Sequence, residues 1–118
     1  MKPDARAEGR RWLAQAENDL AFAALASREG YFAQACFNSQ QAAEKALKAA
    51  ECAELDPEFS NLRSRVAPLD QFYVATRYPN SLPGGIPAQA FARPEAERAL
   101  EMAREVMAAV KRRLAPAD

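Results

Sequence analysis

The fold is decided by one stretch in the first half of the chain, Tyr31-Phe-Ala-Gln-Ala-Cys-Phe-Asn-Ser-Gln-Gln-Ala-Ala-Glu-Lys-Ala-Leu-Lys-Ala49. It contains no glycine or proline and is rich in residues that favour the α-helix. Its apolar positions form one helical stripe, made of Phe32, Ala35, Cys36, Ala43, Ala46, Leu47 and Ala50. A second face is polar and carries Gln34, Asn38, Gln41, Lys45 and Lys48. These spacings predict an amphipathic helix from about residue 31 to residue 54.

Helical patterns lie on both sides of this stretch. The preceding segment predicts a helix that begins near Pro3 or Asp4 and ends at Gly30, the expected left-handed cap. The following segment has a helix-start signature at Asp56-Pro57, and Pro68 predicts a kink or a break into two short pieces. A last helix is expected from about Pro94, after a connection that carries three prolines and two glycines between residues 77 and 93.

Four helical segments without strand-like alternation predict an all-α fold. We expect an antiparallel four-helix up-and-down bundle that spans residues 1–118 as a single domain. Two cysteines on one predicted helix, Cys36 and Cys52, lie about 24 Å apart along its axis and cannot form a disulfide. Cys36 falls on the apolar stripe, which indicates a small core residue rather than a reactive thiol.

The composition limits the classes of function. Sixteen basic and sixteen acidic residues cancel, which argues against wholesale binding of a nucleic-acid backbone. The chain has no histidine, so the commonest general base and a frequent metal ligand are missing. No stretch has the length or the apolar core of a membrane span or a signal peptide, so a cytoplasmic protein without metal or cofactor is expected.

Three segments, in this order, resemble the HEPN domain family, the higher eukaryotes and prokaryotes nucleotide-binding domains. The stretch from residue 30 to residue 49 resembles the central family helix, and Trp12 with the residues around Asp19 resembles the first helix. Tyr73-Val-Ala-Thr-Arg-Tyr-Pro-Asn80, followed by Leu82-Pro-Gly-Gly85, resembles the Arg-Tyr-Pro-Asp loop of the small bacterial and archaeal branch.

The resemblance implies a HEPN-like helical bundle that commonly forms homodimers. It also implies frequent pairing with a minimal nucleotidyltransferase in a toxin–antitoxin-like system. Many family members are metal-independent ribonucleases that use an Arg-polar-x(3–5)-His motif, whereas others bind nucleotides or partners without catalysis. This chain cannot complete the motif because it has no histidine, and Asn80 replaces the usual Asp. We therefore expect a non-catalytic module that binds a nucleotide or RNA, with a ribonuclease toxin or a structural dimer without ligand as alternatives.

The candidate ligand site centres on the long connection. Arg77 can offer a planar fork to a phosphate, and Tyr78 can stack on a base, with Asn80 beside them. The alternative for Arg77 is an ion pair that pins the loop. Gln41, Lys45 and Lys48 could add a polar groove floor, although a solvated helix face with a Glu44–Lys48 pair is the more common arrangement.

A candidate dimer interface follows from apolar residues in excess of one helix stripe. Every residue from Leu20 to Ala26 is apolar, so this end of the first helix has no polar side. Phe22 and Leu25 of this helix, with Phe37 of the second, would leave a sticky surface on a lone small bundle. They therefore predict a two-fold dimer.

Overall fold

The computed structural model describes residues 4–53, 58–76, 78, 82 and 84–114, apart from the side chains of residues 58, 59, 74 and 75. The helices are α1 (Ala5–Arg28), α2 (Phe32–Cys52), α3 (Glu58–Val66), a 3-10 helix (Ala67–Gln71), α4 (Phe72–Ala75), α5 (Pro87–Ala90) and α6 (Arg93–Leu114). The predicted all-α, antiparallel four-helix bundle is confirmed, with α3, the 3-10 helix and α4 in place of one third helix. The Asp56-Pro57 helix start lies outside the described residues.

The turn between α1 and α2 depends on one glycine. Gly30 has φ +87°, a left-handed conformation that costs glycine little. The Gly30 N–H donates to Ser27 O at 3.2 Å, and the Tyr31 N–H donates to Ala26 O at 2.8 Å. These two bonds form a Schellman motif, which satisfies the last carbonyls of α1 and turns the chain directly into α2. The predicted cap at Gly30 is confirmed.

The α1–α2 pair is held in register by a close approach and an ion pair. A Cβ added to Gly9 would lie 2.8 Å from Ala49 O and 3.2 Å from Ala53 Cβ, so the two backbones nearly touch there. Further along α1, by roughly three turns, Asp19 binds Lys45. The two contacts define an antiparallel register that places Leu25 at the level of Phe37 near the turn.

The second helix is the centre of the bundle, because it contacts α1, α3, α4, α5 and α6. The predicted apolar stripe is buried except for Phe32, which is half-buried, and Leu47 is 1% exposed. Burial extends well beyond that stripe, to Ala33, Ser39, Gln40, Ala42 and Ala49. Small alanine side chains let neighbouring helices approach α2 on several sides, so the core consists mainly of close backbone packing with few large side chains.

Residues close in sequence explain the break in the third helical segment and the start of α6. Pro68 lies in the 3-10 helix that interrupts the third helical segment, as predicted. The first residue before α6, Ala92, has no polar side chain, but its N–H donates to Glu95 Oε1 at 2.9 Å. Glu95 therefore supplies half of a capping box at the start of α6.

The last helix returns alongside α1. Its apolar stripe is buried, and Lys111 Nζ bridges to Glu17 Oε2 at 2.8 Å. Arg6 and Arg10 of α1 donate to the carbonyl oxygens of Arg113 and Leu114, at the negative end of the α6 dipole. None of the described helices has the length and hydropathy needed to cross a bilayer.

Candidate functional site

An exposed apolar groove lies at the turn between α1 and α2. Phe22 is 50% exposed, Leu25 is 44% exposed and Tyr31 is 61% exposed. Together with Ala26, Glu29 and Gln34 they line a groove of about 310 Å³. Phe22, Leu25 and Tyr31 thus leave a large part of their apolar surface open to solvent, and exposed apolar surface of this kind is common at protein–protein contacts.

The apolar surface extends along α2 to the candidate Phe37. Phe37 follows Gln34 by three residues, so it lies on the same face of α2. Its ring contacts the half-exposed ring of Tyr73 from α4, with a centroid distance of 6.1 Å. The register of α1 and α2 places this pair beside Leu25. The sequence-predicted residues Phe22, Leu25 and Phe37 are therefore on one side of the molecule, which we call the α1–α2 face.

Next to the apolar residues of the α1–α2 face, α2 carries two lysines that each form an ion pair with a carboxylate. Lys45 Nζ lies 2.5 Å from Asp19 Oδ2, in a pair whose side chains are 29% and 13% exposed. Gln15 donates to the other Asp19 oxygen at 3.0 Å. Lys48 pairs with Glu51 at 3.3 Å on the exposed surface. Each of the two lysines therefore has its own carboxylate.

The third candidate on this face, Gln41, has a side-chain partner of its own. Its Nε2 donates to Oε1 of the buried Gln40 at 2.7 Å. Gln41, Lys45 and Lys48 follow one another at spacings of four and three residues, so they share one side of α2. Both lysines on this side are engaged in ion pairs.

The predicted Glu44–Lys48 pair is wrong, because Glu44 binds a different cation. Both Glu44 oxygens accept from Arg63 of α3, at 3.1 and 3.3 Å. Burial raises the pKa of Glu44 above its usual value, and the nearby Asp70 carboxyl adds to the rise while Arg63 opposes it. A raised carboxyl pKa is a feature of acid–base sites, but a guanidinium on both oxygens is typical of an ion pair that sets the relative position of two helices.

The pH dependence of stability tests the raised pKa of Glu44. A carboxyl with a raised folded pKa contributes its full stability only below its unfolded pKa, and loses it as the pH rises through the folded pKa. Glu44→Gln should therefore match or exceed the native melting temperature at pH 7, with a gain below about 1 kcal/mol because the site is partly solvated. The gain should shrink towards zero near pH 4. Thermal denaturation between pH 4 and 8 measures it, with the exposed Glu51→Gln as control. A lower melting temperature at pH 7 would show that the ionised pair is net stabilising.

Nucleophilic and metal chemistry have little support among the described residues. Burial raises the pKa of the Cys36 thiol to about 12, with Glu95 adding to the rise. The thiol is therefore protonated at neutral pH, which agrees with its assignment to the core. Within the described ranges, no three His, Cys, Asp or Glu side chains lie close enough together to hold a metal ion.

The connection that follows α4 is described only in part. Tyr78 is 49% exposed. The candidates Arg77 and Asn80 lie outside the described residues. Tyr73, at the start of this segment, is anchored on Phe37 of α2, so the connection begins beside the α1–α2 face.

Sequence reasoning missed several residues of this surface. Tyr73 and Gln34 were not selected, and Asp19 was not recognised as the partner of Lys45. Gln34 shares a helical face with Phe37, which could have identified it. The Asp19–Lys45 pair requires the register between two helices, and a single helical pattern does not contain that information.

Comparisons with known proteins agree with the helical fold described above. A sequence model of the HEPN domain matches residues 10–50 and 49–113. No curated protein matches the chain. Among solved structures, TT1696 from Thermus thermophilus is 34% identical, with a TM-score of 0.79, over 88% of this chain and 96% of that one. ST0689, an archaeal HEPN homologue, is 29% identical, with a TM-score of 0.73, over 98% of this chain and 100% of that one. The chain belongs to the HEPN domain family.

Proposed function

We propose that the protein is a non-catalytic HEPN interaction module. It self-associates through the α1–α2 face and binds a nucleotide or RNA beside the connection after α4, as the partner of a minimal nucleotidyltransferase in a toxin–antitoxin-like pair. The observation that carries this proposal is the exposed apolar surface of Phe22, Leu25 and Tyr31, which the bundle itself does not cover.

A second copy of the chain is the occupant that best fits this surface. The protein has no net charge, so two copies do not repel each other. The groove carries Glu29 on its rim, and the adjacent Arg28 is also exposed. One cation and one anion side by side can pair with their own counterparts across a two-fold axis, as an isologous interface requires.

The non-catalytic part of the proposal rests on the available chemical groups. Attack of an RNA 2′-hydroxyl on the adjacent phosphate needs a base and an acid that exchange protons near neutral pH. The chain has no histidine, and its buried Cys36 thiol stays protonated because burial raises its pKa. Glu44 has a raised pKa, but Arg63 occupies both of its oxygens. These groups support binding rather than cleavage.

A substitution of Arg77 best distinguishes a residue that binds a ligand from a residue that only stabilises the loop. Lys45 and Lys48 already have carboxylate partners, so the loop arginine, with Tyr78 and Asn80, is the better phosphate ligand in this proposal. We expect Arg77→Ala to weaken binding of labelled single-stranded RNA or ATP about tenfold, the effect of one charged hydrogen bond. The melting temperature should change by less than about 2 °C.

The same preparation tests the ribonuclease alternative. Native protein in a chelating buffer should leave single-stranded RNA intact over hours. Cleavage that disappears in Arg77→Ala would refute the non-catalytic assignment. A fall of several degrees in the melting temperature with unchanged RNA and ATP affinity would instead assign Arg77 to the structure of the loop.

A further inference from the structure

A second groove lies on another side of α1, where α1 packs against α6, and we call it the α1–α6 groove. It has a volume of about 310 Å³, and its described lining consists of Glu17, Leu20, Ala21, Ala24, Arg104 and Met107. Phe22 follows Leu20 by two residues, which is about 200° around a helix, so these two side chains point to opposite sides of α1. The groove therefore lies apart from Phe22, the centre of the surface proposed for self-association.

The middle of the α1–α6 groove is apolar. Met107 of α6 forms the floor and is 5% exposed, and Leu20 beside it is half-buried. On α1, Ala21 is exposed and Ala24 is half-buried, and neither side chain extends beyond Cβ. The two alanines let another helix approach the α1 backbone closely, while Leu20 offers apolar surface to the side chains of that helix. The groove therefore has the shape for one additional helix between α1 and α6.

Two arginines border this apolar centre. Arg104 lines the groove, and Arg28 follows Ala24 by four residues on the same side of α1. Both are exposed, and neither forms an ion pair with a carboxylate in the part of the chain that the structure describes. The Glu17 carboxylate bridges to Lys111 at 2.8 Å, so its charge is already matched. The two arginines are therefore available to carboxylates of a partner.

The remaining charges along the groove do not cancel this positive border. Arg10, two turns before Glu17 on α1, adds a further cation. Glu97, two turns before Arg104 on α6, adds one carboxylate. The groove is therefore bordered by an excess of positive charge, in a chain whose total charge is zero.

An acidic helix fits this groove better than a nucleic acid does. Phosphates would lie against the apolar surface of Leu20 and next to the Glu17 carboxylate, and the described lining has no aromatic ring on which a base can stack. A helix with leucines at spacings of three and four residues fills the apolar centre. Glutamates beside those leucines can form charged hydrogen bonds with Arg28 and Arg104.

We propose that the α1–α6 groove binds an acidic amphipathic helix of a partner protein. Leucine-like side chains of the partner pack against Leu20 and Met107, and its carboxylates bind Arg28 and Arg104. The groove-side cations of α1, from Arg10 to Arg28, span about 27 Å, which is the length of a helix of about 18 residues. This inference goes beyond the proposed function, because neither the α1–α2 face nor the connection after α4 includes the groove.

A designed peptide tests the groove in the full-length protein. The probe is a fluorescein-labelled helix of about 18 residues made of Leu, Glu and Gln, with leucines at spacings of three and four and glutamates beside them. In the matched basic peptide, lysine replaces every glutamate. Fluorescence anisotropy at low salt should show that the native protein binds the acidic peptide at least about tenfold more tightly than the basic one.

Two variants assign this binding to the groove. Arg104→Glu should weaken binding of the acidic peptide about tenfold, because it replaces an attraction with a repulsion beside the peptide carboxylates. Ala21→Gln changes no charge but occupies the space above the α1 backbone, so it should weaken binding by a similar factor. Both positions are exposed, so neither variant should alter the fold.

The control and the contrary outcomes keep this proposal separate from self-association. Arg98→Glu makes the same charge change on α6, on the side that faces Cys36, and should leave the affinity for the acidic peptide unchanged. The solution mass of Arg104→Glu should equal that of the native protein, because the α1–α2 face is unaltered. Equal affinity for the two peptides, no binding at about 1 mM peptide, or an equal loss in Arg98→Glu would overturn the proposal. Single-stranded RNA that binds native protein but not Arg104→Glu, without binding of the acidic peptide, would assign the groove to nucleic acid instead.

Discussion

Gly9→Val should lower the free energy of unfolding by about 3 kcal/mol, through overpacking of the α1–α2 contact. The added Cβ would meet the Ala49 carbonyl oxygen at 2.8 Å, and a backbone atom within α2 cannot easily move aside. The two helices must separate locally, which weakens the surrounding alanine packing. The melting temperature should fall by about 10 °C or more, measured by circular dichroism.

Two further glycine variants calibrate this result. Gly9→Ala gains up to about 1 kcal/mol of helix propensity but meets the same carbonyl, so it should still be destabilising. A Cβ on Gly84 meets nothing within 4 Å, and Gly84→Val should leave the melting temperature nearly unchanged. A Gly9→Ala protein that melts above native would contradict the close approach of α1 and α2.

Phe22→Glu should convert the proposed dimer into a monomer, with a dissociation constant raised by a factor on the order of 100 or more. The phenyl ring is half-exposed in a single copy and lies on the groove at the centre of the proposed contact. A glutamate there would place an unpaired carboxylate against apolar surface in both copies, which is among the costliest changes at an interface. Because the position is half-exposed, the stability of the monomer should change by less than about 1 kcal/mol.

Variants at other positions separate interface effects from folding effects. Phe37→Glu should also dissociate the dimer, but it loses the ring contact with Tyr73 and should melt at a lower temperature than Phe22→Glu. Ser64→Glu adds the same charge at an exposed position of α3 and should remain dimeric. A Phe22→Glu protein that stays dimeric would remove the α1–α2 face from the proposed interface.

Much of the fold could be predicted because the decisive signals are local. The Ala- and Lys-rich run, the glycine after Glu29 and the proline at residue 68 each specify the backbone near their own position, and α2, the Schellman cap and the 3-10 break were predicted from them. The burial of Ser39 and Gln40 was not, because it depends on how many helices surround α2. Because their side chains are polar, the pattern of α2 taken alone predicts that both residues are exposed to solvent.

The residues of the candidate site also fall into those that a single helix predicts and those that depend on how the helices pack together. Phe22 and Leu25 could be selected from the excess of apolar residues on one helix, and the structure places them on one groove. The partners of Lys45 and Glu44 could not, since Asp19 and Arg63 lie on other helices whose register a periodic pattern leaves open. An ion pair between residues four apart on one helix, such as Glu44 and Lys48, contributes only about 0.5 kcal/mol. Glu44 instead forms two hydrogen bonds with Arg63 of the neighbouring helix, which is a stronger interaction.

The mass of the native protein in solution tests the central claim most directly, because self-association is the basis of the proposed module. Light scattering coupled to size exclusion, at micromolar concentration, should give twice the chain mass of 13.0 kDa. A mass of 13.0 kDa that persists as the concentration rises would contradict the account and leave the exposed Phe22, Leu25 and Tyr31 for a different partner.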